Sequence, residues 1–388
     1  MSILETAKNV FSVGVKDKNR RMFDALIPLP DGTSYNSYLV KGNDKTALID
    51  AVNHGFEQEL LDNLKSITEL QKIDYVIMNH AEPDHTGAIP MIMETANAVL
   101  VASEKGAKAA EIMYKVPKER IKIIKEGDTI ALGGKTLRFI DAPWLHWPET
   151  IFTYLVEDKI LFPCDFFGSH TAFGTFDEDS EGLIANAKKY YAEIMMPFSA
   201  MGKKALDKLK AYDIKMIAPS HGPIYKNPKT IIDAYAKWTS GETKKKATIV
   251  YASMWGSTEK MANIIAETLA AEGIEAVQYN LAAADIGDVA KDLVDSRAIV
   301  FGSPTFLGAM HPIALHAVNL VKALKPPVKY AVFLNSYGWG TATKSVIDIL
   351  STTKIEFIGA VETKWVMNEE AKEKVQELGK RLAQKLNE

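Results

Sequence analysis

Four apolar runs in the first half of the chain each deliver a potential metal ligand just past their C-terminal end. Nothing else in the sequence constrains its fold and chemistry as tightly. The run DYVIM leads into Asn79-His80-Ala81-Glu82-Pro83-Asp84-His85, which places four imidazole or carboxylate side chains within six residues. His146 follows LRFIDAP, Asp165 ends KILFPCD and His221 follows KMIAPS. The C-terminal edge of an α/β sheet is where sites assemble. If these strands are parallel neighbours, all seven side chains face one rim. Pro83 disfavours a helix through the first cluster, so its side chains are expected to fan out from a loop. One histidine at a strand end is ordinarily a solvated loop residue, whereas the spacing H-x-E-x-D-H with three further partners reads as a site. Four histidines and three carboxylates exceed the four ligands of a structural zinc. They suit two metals sharing one carboxylate, and the mixed donor set suits Zn, Mn or Fe. The remaining histidines are His54, His170, His311 and His316. Only His170 lies close in sequence to Asp165, where it either supports the ligands or is a plain loop residue.

The second half reads differently. ATIVYAS is a buried strand, and GSTEKMANIIAETLAAEGI follows as a helix with Met261, Ile264, Ile265 and Leu269 on one face. AVQYNL, AIVFGSP, YAVFLNS and IEFIGAVE follow as strands separated by helices. Five strands alternating with helices imply a doubly wound parallel sheet. The first half mixes short strands (NSYLV, KTALID, DYVIMNH, LRFIDAP) with helices such as HGFEQELLDNLKSI, as in an α/β or α+β fold with a mixed sheet. The break falls in the polar, lysine-rich TSGETKKKATIVYAS, giving domains of residues 1–246 and 247–388. A chain of 388 residues is long enough for two domains.

Three loops of the second half converge on one kind of ligand. Ser253-Met254-Trp255-Gly256-Ser257-Thr258 joins the first strand to its helix, and backbone N–H groups at such a helix start hold a phosphate. The loop lacks the P-loop lysine and the G-x-G-x-x-G spacing, so it suits a monophosphate such as that of FMN better than ATP or NAD. Gly302-Ser303-Pro304-Thr305-Phe306-Leu307-Gly308 and Asn335-Ser336-Tyr337-Gly338-Trp339-Gly340 end the third and fourth strands. Trp255, Phe306, Tyr337 and Trp339 offer stacking surface for a flat ring. The competing reading is a module with ordinary capping turns, which three such loops on one sheet edge argue against.

Composition narrows the setting. A net charge of −3 gives no reason to expect nucleic acid or an anionic membrane. The single cysteine, Cys164, excludes an internal disulfide framework and any four-cysteine metal module within these residues. The start MSILETAKNVFSVG lacks the pattern of a secretory signal, and no apolar run approaches the ~20 residues of a spanning helix. A cytoplasmic protein is expected.

On these motifs residues 247–388 resemble flavodoxin, and residues 1–246 resemble the metallo-β-lactamase fold, an αββα sandwich whose hydrolases read H-x-H-x-D-H. Here Glu82 replaces the second histidine. That replacement, with the fused flavodoxin-like module, makes the whole chain resemble the flavodiiron proteins, or A-type flavoproteins. The resemblance implies two iron ions per chain, one bound by His80, Glu82 and His146, the other by Asp84, His85 and His221, with Asp165 bridging. Some members leave the counterpart of His85 unligated. It implies FMN as the flavin, and reduction of dioxygen to water, of nitric oxide to nitrous oxide, or of both. It also implies a head-to-tail homodimer, in some cases paired into a tetramer, in which the FMN of one subunit serves the diiron site of the other. A tyrosine of KKYYAEIM, Tyr190 or Tyr191, is expected to donate a hydrogen bond near the substrate, unless both belong to the core. With one cysteine the chain carries no rubredoxin-like segment, so electrons come from a separate rubredoxin or from reduced F420. Some members place a histidine in the segment matching RRMFDALIPLPDGTSYNSYL; this chain has none, so no gas preference is read from it. Two rivals remain: a zinc hydrolase with a regulatory flavin module, opposed by Glu82, and an electron carrier with a vestigial metal fold, opposed by the full ligand set.

Overall fold

The computed structural model describes residues 3–388. They divide into two compact units, residues 3–191 with 198–236, and residues 192–197 with 237–388.

The first unit is built on two sheets. A seven-stranded sheet runs in the order Leu4–Ala7, Val10–Ser12, Tyr38–Lys41, Thr46–Ile49, Tyr75–Ile77, Val99–Ala102, Ile121–Ile123. Its first four strands are antiparallel and its last four parallel. A five-stranded sheet runs Thr129–Ala131, Thr136–Asp141, Ile151–Leu155, Ile160–Phe162, Met216–Ile217, and only its last pair is parallel. Strand side chains alternate between faces, and here the alternation divides the core. Val40, Ala47, Ile49, Ile77 and Val101 face Leu137, Phe139, Ile151, Leu155 and Phe162 between the sheets. Leu39, Leu48, Val76 and Leu100 face outward onto Leu60, Leu61 and Leu64 of the helix Glu57–Lys65 and onto Ile89 and Ile92 of the helix Ile89–Thr95. On the far side, Phe152 stacks on Phe166, which meets Tyr235 of the helix Pro228–Ser240. The result is an αββα sandwich.

Two expectations are corrected here. The ligand-bearing strands are not parallel neighbours of one sheet. The strand before His80 belongs to the larger sheet, and those before His146, Asp165 and His221 belong to the smaller one, where the antiparallel strand Ile151–Leu155 separates two of them. Nor does the first cluster fan out from a loop alone, because Pro83 opens the short helix Pro83–Thr86. Proline at the first helical position lacks only an N–H that would be unsatisfied anyway, and its fixed φ suits the helix.

The second unit has a parallel sheet in the order Glu275–Asn280, Lys244–Tyr251, Ser296–Phe306, Tyr330–Tyr337, Glu356–Lys364, with Ala309–Met310 folded back on the third strand in sequence. Helices pack on both faces. Met261, Ile265 and Leu269 of Ser257–Ala271 join Leu378 and Leu382 of Glu369–Asn387 on one side. Ala314, Val318 and Val321 of Pro312–Leu324 join Val346 and Leu350 of Thr343–Leu350 on the other. The lysines at the expected break are part of the first strand, which starts at Lys244. Lys246 is buried and reaches Asp292 at 2.6 Å and Asp295 at 3.3 Å. Among the described residues, no helix is long and apolar enough to cross a membrane.

Candidate metal centre and flavin pocket

The residues immediately before three of the candidate ligands are tied to one another. Asp50, just past the strand Thr46–Ile49, accepts from Asn79 N at 2.8 Å and Asn79 Nδ2 at 2.9 Å. Asn79 in turn accepts from Ile151 N at 2.9 Å and Thr153 Oγ1 at 2.7 Å, both in the smaller sheet. Ser220 N donates to Cys164 O at 2.9 Å, and Ser220 Oγ lies 3.5 Å from Asp50 Oδ2. Asn79, Cys164 and Ser220 precede His80, Asp165 and His221, so this buried network sets where each ligand leaves its strand. Burial pushes the Asp50 carboxyl up to about 6.

All seven candidate ligands come together in two groups around Asp165. Asp165 Oδ2 faces His80 Nε2 at 3.5 Å and His146 Nε2 at 3.6 Å. Its Oδ1 faces His85 Nε2 at 2.9 Å and His221 Nε2 at 3.4 Å. Glu82 Oε2 lies between His146 (2.9 Å) and His80 (3.2 Å). Asp84 reaches His221 at 3.1 Å and His85 at 3.4 Å.

The donor chemistry fits a pair of cations. The second nitrogens of two rings are already engaged, His80 Nδ1 with Glu149 Oε1 at 2.7 Å and His221 Nδ1 with Ser34 O at 2.6 Å. A neutral ring that donates from Nδ1 presents a lone pair at Nε2. Both of these lone pairs then point at carboxylate oxygens. Both oxygens of Asp84, and Oδ2 of Asp165, are buried without a hydrogen bond. Such an arrangement needs protons or metal ions between its members. Without metal it is held by protons. At His80 burial opposes the charge, but the hydrogen bonds to Glu149 and Glu82 and the field of Asp165 outweigh it and raise the pKa well above the usual range. At His85 the fields of Asp84 and Asp165 likewise overcome burial and raise it to about 9. Asp165 is held well below the carboxylate range, since His85, His80 and His221 overcome its burial.

The two tyrosines separate. Tyr190 ends the helix Leu183–Tyr190 and donates to Asp165 Oδ1 at 3.0 Å. Tyr191 opens a π-helical turn, Tyr191–Met195, and its hydroxyl meets Ser199 Oγ at 2.7 Å. The extra residue in a π turn re-aims the side chains on either side of it, a device common at functional sites. His170 packs edge-on to Tyr190 and against His221, with Nδ1 3.0 Å from Thr33 Oγ1. Glu149, Asp50 and Tyr114 were not read from the sequence. Asp50 ends a strand just as Asp165 does, and Glu149 lies three residues after His146, so both carried a usable signal. Tyr114 carried none.

In the second unit a cleft of about 320 Å³ is lined by Met254, Trp255, Ser257, Pro304, Thr305, Leu307, Gly308, Ser336, Tyr337, Gly338, Trp339 and Trp365. Six further expected contacts are not among the lining residues. Ser253 Oγ accepts from Gly256 N at 3.1 Å, and Thr258 Oγ1 pairs with Ser336 Oγ at 2.8 Å. Phe306 packs on His311, Asn335 is fully buried, and Gly340 lies against Gly308. Trp365 was missed; it follows the fifth strand, and its carbonyl accepts from Ser257 Oγ at 3.1 Å. The cleft opens at the start of the helix Ser257–Ala271, where N–H groups point outward.

A β-lactamase-type fold with clustered imidazoles and carboxylates, joined to a flavodoxin-type fold with an aromatic cleft, defines a class of oxidoreductase that takes a flavin and iron. Residues 33–222 match the ODP family beta lactamase model and residues 249–379 the flavodoxin model. The nitric oxide reductase of Moorella thermoacetica is 39% identical, over 97% of this chain and 97% of its own. The rubredoxin oxygen:oxidoreductase structure from Desulfovibrio gigas superposes with a TM-score of 0.96 at 29% identity, covering 100% of this chain and 99% of that one. The flavodiiron protein of Giardia intestinalis gives 0.92 at 32%, covering 100% and 98%. The chain belongs to the flavodiiron proteins.

Proposed function

We propose that this chain reduces dioxygen to water, nitric oxide to nitrous oxide, or both, with FMN and two iron ions per chain. His80, Glu82 and His146 would hold one iron, Asp84, His85 and His221 the other, and Asp165 would bridge them. The observation that carries this reading is the division of Asp165, one oxygen toward each pair of imidazoles. When bound, the flavin supplies electrons singly and the iron pair supplies adjacent redox-active positions where a diatomic gas takes them up.

The chain's own side chains do the rest. Glu149 and the Ser34 carbonyl fix the tautomers of His80 and His221. Tyr190 holds a hydrogen on Asp165 Oδ1, beside the space between the two groups. The cleft in the flavodoxin-type unit would take FMN, its phosphate at Ser253–Thr258 and its ring among Trp255, Pro304–Gly308 and Asn335–Gly340.

The proposed donor is a separate rubredoxin-type protein or reduced F420, and the proposed setting is the cytoplasm. The proposed assembly is a head-to-tail homodimer, alone or paired into a tetramer. The cleft's rim supports a covering partner: Trp255 is 89% exposed, Leu307 79%, Trp365 71% and Trp339 66%. Large apolar side chains exposed together mark interaction sites. The iron domain would be the first unit and the FMN domain the second, whose first strand starts at Lys244, just ahead of the break expected at residue 246.

The test is metal and flavin analysis of the purified protein, followed by stopped-flow mixing of the reduced form with O2 and, separately, NO. Two irons and one FMN per chain, with consumption of at least one gas, are expected. Two zincs and no iron would end this reading in favour of a hydrolase. So would Asp165→Ala and His146→Ala variants that consume gas as fast as the unmodified protein, which would favour a simple electron carrier.

A further inference from the structure

Ala81 lies between two candidate ligands, His80 and Glu82, in the stretch between the strand Tyr75–Ile77 and the helix Pro83–Thr86. It is fully buried and belongs to neither element. Its backbone is nonetheless held on both sides. Ala81 N donates to Glu149 Oε1 at 3.0 Å, the same oxygen that receives His80 Nδ1. Ala81 O accepts from the Tyr114 hydroxyl at 2.7 Å. Tyr114 caps the C-terminal end of the helix Glu104–Met113, 33 residues along the chain. The hydroxyls of Tyr114 and Thr86 also meet, and Thr86 Oγ1 donates to Glu82 O at 2.7 Å.

We infer that Tyr114 is a positioning residue for Glu82. Its hydroxyl fixes the plane of the Ala81–Glu82 peptide, and with it the direction in which the Glu82 side chain leaves the backbone. The Glu149 side of the clamp aims His80, and the Tyr114 side aims Glu82. The inference rests on the reading of Glu82 as a metal ligand. Without the phenol, Ala81 O keeps only Thr86 Oγ1 at 3.3 Å, whose single hydrogen also serves Glu82 O, and a carbonyl that turns toward that remaining donor would swing Glu82 away from His146. The ring of Tyr114 packs in the apolar core between sheet and helices, so Tyr114→Phe keeps the packing and removes only the clamp.

The experiment is an anaerobic chelator challenge of the reduced, iron-loaded protein, with iron loss followed by Mössbauer spectroscopy. Tyr114→Phe is expected to weaken retention of one iron of the pair roughly 10- to 100-fold, the range seen when a group behind a metal ligand is removed. FMN content and thermal midpoint should stay as in the unmodified protein. Thr86→Val should act in the same direction, and the double variant should lose no more than the worse single one, because the two hydroxyls work as one unit. Equal retention of both irons in Tyr114→Phe overturns the inference. Loss of both irons together with a lowered midpoint overturns it as well, since that marks a purely structural role. Failure of the underlying functional reading appears in the unmodified protein, as zinc in place of iron. Failure of the inference appears only in the variants.

Discussion

Tyr190 donates its phenolic hydrogen to Asp165 Oδ1 at 3.0 Å, on the carboxylate that faces all four imidazoles of the site. Tyr191, one residue on, reaches Ser199 instead. Successive helical side chains leave the axis about 100° apart, so these neighbouring hydroxyls, at the junction of α-helix and π turn, reach different places.

Tyr190→Phe should therefore leave Asp165 a stronger electron donor, since a hydrogen bond to a charged acceptor, worth about 1.5–3 kcal/mol, is lost. Stronger donation favours the ferric state, so the midpoint potential of the iron pair should fall. A redox titration followed by electron paramagnetic resonance measures it. Tyr191→Phe is the control and should leave the potential where it was. Equal shifts in the two variants would contradict the assignment.

Metal removal should expose the protons that hold the empty site. His85 titrates at about 9 in the metal-free fold, above the ordinary 6.5. The folded apoprotein thus binds this proton more tightly than the unfolded chain. Its contribution to stability is complete below pH 6.5 and fades as pH rises through about 9. Metal binding displaces the proton, so the affinity for Fe(II) should climb with pH over the same window. Calorimetry in buffers of different ionisation enthalpy counts the released protons; a count of zero at pH 7.5 would refute this.

In the flavin cleft, Gly340→Ala should loosen the ring-side loops. Gly340 has φ +77°, and a Cβ there would lie 2.2 Å from Gly308 O. The two loops cannot keep their contact, and FMN affinity should drop roughly tenfold, which corresponds to about 1.4 kcal/mol. Recovery of flavin fluorescence on dilution reads the loss, while the iron content should not change.

Lys246→Met tests the buried ion cluster at the start of the flavodoxin-type sheet. The substitution leaves Asp292 partly buried without its cation, while Asp295 keeps Lys244 at 3.1 Å. Breaking such a pair costs about 3–5 kcal/mol when fully buried, and these carboxylates keep some contact with water, so the lower end is expected. Urea unfolding followed by flavin fluorescence should show the earlier midpoint. An unchanged midpoint would mean that the cluster contributes nothing net.

The parts that the sequence revealed and concealed differ in range. Strand and helix periods, the glycine-rich turns and the H-x-E-x-D-H spacing are short-range patterns, and they gave both folds, all seven ligand candidates and the three flavin loops. Pro83 misled because its meaning depends on position: inside a helix it breaks, at the first turn it starts one. Six flavin-loop residues do not line the cleft, because a loop's sequence does not say which of its residues turns toward the cleft and which packs elsewhere.

By itself, then, the amino-acid sequence determined which elements form and which chemical groups sit at their ends. The tertiary structure decided how those groups meet. It divided the ligand-bearing strands between two sheets, turned the oxygens of Asp165 toward two separate pairs of imidazoles, chose Tyr190 over Tyr191, and brought Glu149 and Tyr114 to opposite sides of Ala81. Each of these joins residues that are far apart along the chain or differ only in the local turn of the backbone. Their geometry comes from the packing of whole elements, which no local pattern encodes.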